Sequence, residues 1–246
     1  MKNLISWKTF FILLVACVVA SIISLPYLFA ITAITSSNEI EITPKIVLLT
    51  AAHNLVQFAI VIFLGLLLSK RIGMGLRYEL KPILLPSISW GIGAGALIIL
   101  ISIPFSKLIP EFQNFEVSIP IWKALLATFY GGIAEEVLLR LFLVSLFVWI
   151  TFKIKKAKDG GPTVFGIWLS IILAAIIFGL AHLPATAQIA SLTGMIILRA
   201  IVLNGIGGVI FGWLYWKKGL ESAMLAHFSA DVVLHIVTPF VASLFS

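Results

Sequence analysis

Six ionisable residues sit inside otherwise apolar stretches of this sequence, at spacings that let them meet. Glu135, Glu136 and Arg140 belong to Gly131-Gly132-Ile133-Ala134-Glu135-Glu136-Val137-Leu138-Leu139-Arg140. His182 closes Phe178-Gly179-Leu180-Ala181-His182, and His227 and Asp231 lie in the last apolar stretch, with His235 beyond them. On a helix, Glu136 and Arg140 at i, i+4 pair on one face, while Glu135 is turned about 100° away. One carboxylate is then held by the arginine and the other is left to act as a base. His227 and Asp231 share a face in the same way, and His182 is expected to supply a third wall. A carboxylate and imidazoles shielded from bulk water can position and deprotonate one water molecule for hydrolysis. The same residue types also suit zinc ligation, buried ion pairs that lock helices, or a proton path. Neither an HExxH pair nor a GxSxG elbow is present.

The elements that carry these residues follow from composition. The 246 residues are 61% hydrophobic and only 11% charged, with a mean hydropathy of +1.16. A soluble domain carries about 25% charged residues, so this chain cannot cover a globule in water. Disorder, which needs low hydrophobicity, is excluded as well. The reading is an all-α, polytopic integral membrane bundle forming a single domain over residues 1–246, in the cell membrane. A span needs about 20 apolar residues. Seven runs qualify, near Thr9–Ile34, Lys45–Ser69, Leu84–Ile109, Ile121–Phe152, Pro162–Leu183, Leu192–Trp216 and Leu220–Phe240. The charge-free linker Pro184–Ser191 is the candidate for an eighth membrane element.

Basic residues orient the bundle. Of the 17 Lys and Arg, twelve fall at one end of these runs: Lys2, Lys8, Lys70, Arg71, Arg77, Lys81, Lys153, Lys155, Lys156, Lys158, Lys217 and Lys218. Only Lys45, Lys107 and Lys123 fall at the other. The alternation places the N-terminus in the cytoplasm. The net charge of +7 is then loop charge beside anionic lipid and does not mark a nucleic-acid partner. Leu14-Val15-Ala16-Cys17 has the look of a lipoprotein cleavage box, but its apolar run is too long for a signal core, so Cys17 is read as a buried residue of the first helix. Gly91–Gly95 and Gly208–Gly212 have the small-xxx-small spacing that lets membrane helices approach closely.

Glu135-Glu136-xxx-Arg140, Phe178-xxx-His182 and His227-xxx-Asp231 resemble, in order and on separate spans, the three motifs of the CAAX-protease and bacteriocin-processing (CPBP) family of membrane endopeptidases. The resemblance covers about residues 121–240, where the catalytic helices are expected. It implies hydrolysis of a peptide bond in a membrane-associated protein or peptide. Glu135 would be the general base acting with His182 on water, His227 and Asp231 would stabilise the oxyanion, and Glu136 and Arg140 would shape the site. Eukaryotic members cut the last three residues from prenylated proteins. Bacterial members are linked to bacteriocin maturation, self-immunity or scaffolding, so a non-proteolytic scaffold or immunity protein of the same fold is the alternative. The favoured mechanism requires no cofactor; in a metal-dependent one, zinc would sit on Glu135, His182 and His227. An ionised Asp231 repels an oxyanion, so Asp231 serves there only when protonated; otherwise it orients His227 or a metal. His235 lies outside the three motifs and is read as packing.

Depth poses a problem for straight helices. Glu135 lies about 21 Å along its helix from the outer end, His182 near the outer end of its span, and His227 about 10 Å from the inner end, at 1.5 Å per residue. The family analogy suggests a cavity reached from the cytoplasmic side.

Overall fold

The computed structural model describes residues 5–36, 41–109, 119–188 and 190–243. Lys2, counted above among the inner basic residues, lies outside them. The described residues form a bundle of helices, with one isolated antiparallel bridge among them, between Lys156 and Pro162. Among the described residues, seven helices are long and apolar enough to cross a membrane: Trp7–Ala33, Pro44–Arg71, Lys81–Leu108, Ile121–Ile154, Val164–Thr186, Gly194–Lys218 and Leu220–Phe240. The protein is a polytopic helical membrane bundle, as the apolar runs predict. The linker after the fifth span supplies only the single helical turn Leu183–Thr186, too short to be an eighth membrane element; its Ile189 lies outside the described residues.

Local chemistry starts and stops these helices. Thr43, Thr163 and Thr193 each accept a hydrogen bond from the backbone N–H three residues on, satisfying a donor that the first helical turn leaves without a partner. The first span bends where Ser24 ends one helix and Leu25 begins the next. Pro26, just inside the second helix, has no N–H to continue the ladder. Gly219, at φ +98°, makes the tight turn between the sixth and seventh spans, and Leu220 N–H donates to Gly75 O, in the loop between the second and third spans, at 3.0 Å.

The small-residue stripes pack as expected. A Cβ at Gly91 would strike Ala226 O and Ser229 of the seventh span, and one at Gly95 would strike Val233. Gly208 and Gly212 abut Ala175 and Ile171 of the fifth span in the same way. Without these glycines, the third and fifth spans could not approach the helices they support. Cys17 is fully buried in the first helix.

The buried side chains are not spread evenly along the spans. In the second span they run from Phe58 to Ser69 and in the third from Ile83 to Gly95. In the seventh they run from Leu220 to Ala230. Each set lies in the half nearer the basic loops.

Candidate active site

The fourth span does not run as a plain α-helix through its charged motif. Tyr130–Glu135 and Val137–Val144 are wound as π-helix, with i→i+5 bonding in place of i→i+4. Ser145 Oγ donates to Arg140 O, five residues back, at 3.4 Å. The widened turn corrects the α-helical angle assumed for Glu135 and Glu136. π segments are rare and tend to mark functional sites; these two bracket the paired glutamates. A third, Val233–Val237, begins just after Asp231.

Glu136 faces inward and is fully buried. Its Oε1 accepts from Arg140 Nη1 at 2.6 Å and from His227 Nδ1 at 2.6 Å. Its Oε2 is buried with no hydrogen-bond partner among the described residues. Arg140, itself buried, lies between two aromatic faces, with its guanidinium 5.3 Å from the Phe178 ring and 5.4 Å from the Phe211 ring. Its Nη2 also makes long contacts to the carbonyls of Gly207 and Gly208, at 3.5 and 3.4 Å. Breaking a buried ion pair costs about 3–5 kcal/mol, and cation–π contacts of this kind add about 0.5–2 kcal/mol each. Glu136 and Arg140 therefore form a fixed post within the bundle, as the i, i+4 spacing predicts.

That post orients His227. A carboxylate only accepts, so Nδ1–H is the donor to Glu136 and Nε2 points the other way. The ring stacks on Phe211 at 4.7 Å and meets the edge of Phe178 at 5.9 Å. Nε2 then lies 3.8 Å from Glu135 Oε2 and 3.6 Å from Asp231 Oδ1. These two carboxylates keep partial exposure, 22% and 14% of their side chains, where Glu136 has none. Gly131 makes room for the group: a Cβ there would collide with Asp231 Oδ2 and lie 3.2 Å from His227 Nε2.

The gap in depth closes between the fourth and seventh spans. Glu136 is 18 residues from the inner end of its span and His227 only seven from the inner end of its own, yet their side chains touch. The fourth span accommodates this by projecting inward, leaving Ile154 80% exposed. His182 stays at the outer end of the fifth span as its C-cap. Its Nδ1–H donates to Phe178 O at 2.9 Å, which leaves Nε2 as the lone-pair end of the neutral ring. Its ring meets the edge of Phe178 at 4.7 Å, so Phe178 connects it to His227.

Glu135, Glu136, Arg140, His227 and Asp231 are thus brought into one cluster, while His182 adjoins it through an aromatic ring and makes no ion pair with a carboxylate among the described residues. Three expected zinc ligands, Glu135, His182 and His227, do not converge: among the described residues no group of three His, Cys, Asp or Glu side chains is arranged to hold a metal. His235 packs its ring against Tyr27 at 6.0 Å. Phe211 and Gly131 were not singled out from sequence. Phe211 stands four residues after Gly207 on a glycine-lined helix, and Gly131 opens the first motif, so both positions were visible but their contacts were not.

Residues 117–233, which hold the whole cluster, match the family model described as Type II CAAX prenyl endopeptidase Rce1-like. No curated protein and no solved structure matches the chain.

Proposed function

We propose, from the match of residues 117–233 to the Rce1-like type II CAAX prenyl endopeptidase family model, that the chain hydrolyses a peptide bond of a membrane-associated protein or peptide with Glu135 as its general base. The observation that carries this reading is the division of labour between adjacent glutamates. Glu136 is committed at 2.6 Å to both Arg140 and His227, whereas Glu135 is partly exposed and 3.8 Å from the far nitrogen of the same imidazole.

In this mechanism Glu135 takes a proton from a water molecule whose oxygen attacks the carbonyl carbon. The carbonyl π pair moves to oxygen and forms an oxyanion. His227 works as the imidazolium, donating to Glu136 from Nδ1 and to the oxyanion from Nε2. Asp231, 3.6 Å from that nitrogen, holds the ring in register. His182 directs the water through its Nε2 lone pair. Glu135 then returns the proton to the leaving nitrogen as the C–N bond breaks. Every step in this reading uses side chains of the chain itself.

The test is reconstitution in proteoliposomes with a membrane peptide substrate. Removing a general base typically costs about 10²–10⁴ in rate. Glu135→Gln and His182→Ala are expected to lose cleavage to that degree while remaining folded in the membrane. Full activity in Glu135→Gln would overturn the assignment.

A further inference from the structure

We infer that Asn204 is a substrate-binding residue of the site, whose side-chain amide accepts a backbone N–H of the bound peptide within two residues of the scissile bond. The inference rests on the endopeptidase reading and adds a polar group that none of the three motifs contains.

Asn204 stands near the middle of the sixth span, ten residues from Gly194 and fourteen from Lys218, where the bilayer holds least water. On a helix, residues three, four and seven further on lie within about 60° of a given side chain. For Asn204 these are Gly207, Gly208 and Phe211, and all three touch the cluster. Arg140 Nη2 makes its long contacts to the Gly207 and Gly208 carbonyls, and His227 stacks on the Phe211 ring. Val202, Ile206, Val209 and Ile210 are turned about 120–160° from Asn204, and they line an apolar groove with Leu97 and Ile172. Asn204 therefore faces the cluster and not the groove.

Its level in the bundle follows from the packing of the fifth span. A Cβ at Gly179 would lie 2.5 Å from Ile201 Cα and 3.0 Å from Ala200 O, and one at Gly208 would lie 2.6 Å from Ala175 Cβ. Asn204, between Ile201 and Gly208, is thus level with residues 175–179 of the fifth span. Phe178 belongs to that stretch, and its ring meets Arg140, His227 and His182 at 5.3, 5.9 and 4.7 Å. The amide of Asn204 reaches the same place: its Nδ2 donates at 2.9 Å to Ala200 O, the carbonyl that abuts Gly179.

That single bond leaves the amide incomplete. A side-chain amide carries two N–H donors and an acceptor oxygen. Among the described residues, one N–H of Asn204 goes to Ala200 O and Oδ1 accepts from none. Polar side chains elsewhere in the bundle tie helices together, as Ser87 does with Ser222 and Ser145 with Tyr215. Asn204 makes no such cross-link among the described residues, so the interhelical hydrogen bonding that usually places asparagine in a membrane helix does not account for it. Its side chain is half-buried and not sealed. The remaining N–H and Oδ1 are a donor and an acceptor of the kind that a peptide backbone matches. A backbone N–H that enters a water-poor site needs an acceptor, and Oδ1 supplies one beside the residues that carry the chemistry.

The test uses proteoliposomes and a membrane-anchored peptide that the wild type cleaves and Glu135→Gln does not. Asn204→Leu removes the amide at similar volume. Its KM is expected to rise about three- to tenfold, the weight of one hydrogen bond. Its kcat and melting temperature should not change, because the lost contact is made equally in the ground and transition states. Asn204→Gln keeps an amide and should recover part of the loss. Peptides with one backbone N–H replaced by an ester oxygen, at each position within two residues of the cut but not at the scissile bond, locate the partner. One of them should cost the wild type the same three- to tenfold, as one hydrogen bond requires, and cost Asn204→Leu nothing further. If Asn204→Leu fails to fold, Asn204→Ala takes its place in the same comparison. A wild-type KM in the variant, a fall in kcat at unchanged KM, or equal losses in the two proteins for every ester overturns the inference. Any of these with cleavage still dependent on Glu135 leaves the endopeptidase reading standing. Cleavage that no longer depends on Glu135 removes both.

Discussion

Replacing Gly131 with alanine adds a single methyl group at the point where the fourth span meets the face of the seventh that carries His227 and Asp231. That methyl would land on Asp231 Oδ2, and it would sit 3.2 Å from His227 Nε2 and 3.4 Å from Asp231 Cγ. His227 cannot yield easily, because Nδ1 is fixed to Glu136 at 2.6 Å and the ring is stacked on Phe211. Asp231 must therefore rotate, or the two helices must part. Overpacking of this kind costs about 1–3 kcal/mol. Borne by the transition state, that is a fall in kcat/KM of about five- to 150-fold, at 1.36 kcal/mol per decade. Helix propensity works in the opposite direction, since alanine is favoured over glycine by about 0.5–1 kcal/mol within a helix, so the variant is expected to lose activity with little loss of folded protein. Gly205→Ala is the control: a Cβ there meets nothing within 4 Å, and its activity should match wild type. Peptide cleavage in proteoliposomes, read with thermal melting of the same preparations, separates the two effects. Wild-type kcat/KM in Gly131→Ala would refute the placement of Asp231 and His227 against the fourth span.

Other outcomes follow from the same geometry. Arg140→Met strands the buried Glu136 carboxylate and should lower stability by about 3–5 kcal/mol in detergent melts; Arg140→Lys should recover only part, because a lysine lacks the planar fork between Phe178 and Phe211. Tyr215→Phe removes the hydroxyl that binds Ser145 and Ser69 and should cost about 1 kcal/mol in the same melts, with kcat/KM unchanged because that hydroxyl bonds outside the cluster of Glu135, His227 and Asp231. Treatment with a zinc chelator should leave cleavage intact; loss on chelation with recovery by zinc would sink the metal-free mechanism.

The spans were legible because apolar length is a strong signal, and each of the seven runs reappears within a few residues of its expected bounds. The glycine stripes and the Glu136–Arg140 pair were legible because they depend only on local spacing. The π winding around Glu135 was not. It falls where the fourth span meets the seventh closely, a Cβ at Gly132 meeting Phe228 Cβ at 3.0 Å and Met224 O at 3.3 Å, and no propensity scale carries that information. The level at which Glu136 meets His227 was hidden for a related reason: it follows from how far the fourth span projects past its neighbours. Phe211 was invisible as a site residue because an aromatic on an apolar helix looks like any core side chain until Arg140 and His227 are placed against it. His182 was expected near the outer end of its span and stands there as the helix C-cap; that its ring donates to Phe178 O and meets His227 only through Phe178 was not legible.

The central claim is that Glu135 performs the hydrolysis while Glu136 holds the site together. It is tested most directly by comparing the membrane peptides of cells carrying the wild-type protein with those of cells carrying Glu135→Ala at equal membrane levels. New peptide termini that occur with wild type and vanish with Glu135→Ala are the predicted result. Identical peptide profiles in the two strains, with both proteins folded, would contradict it.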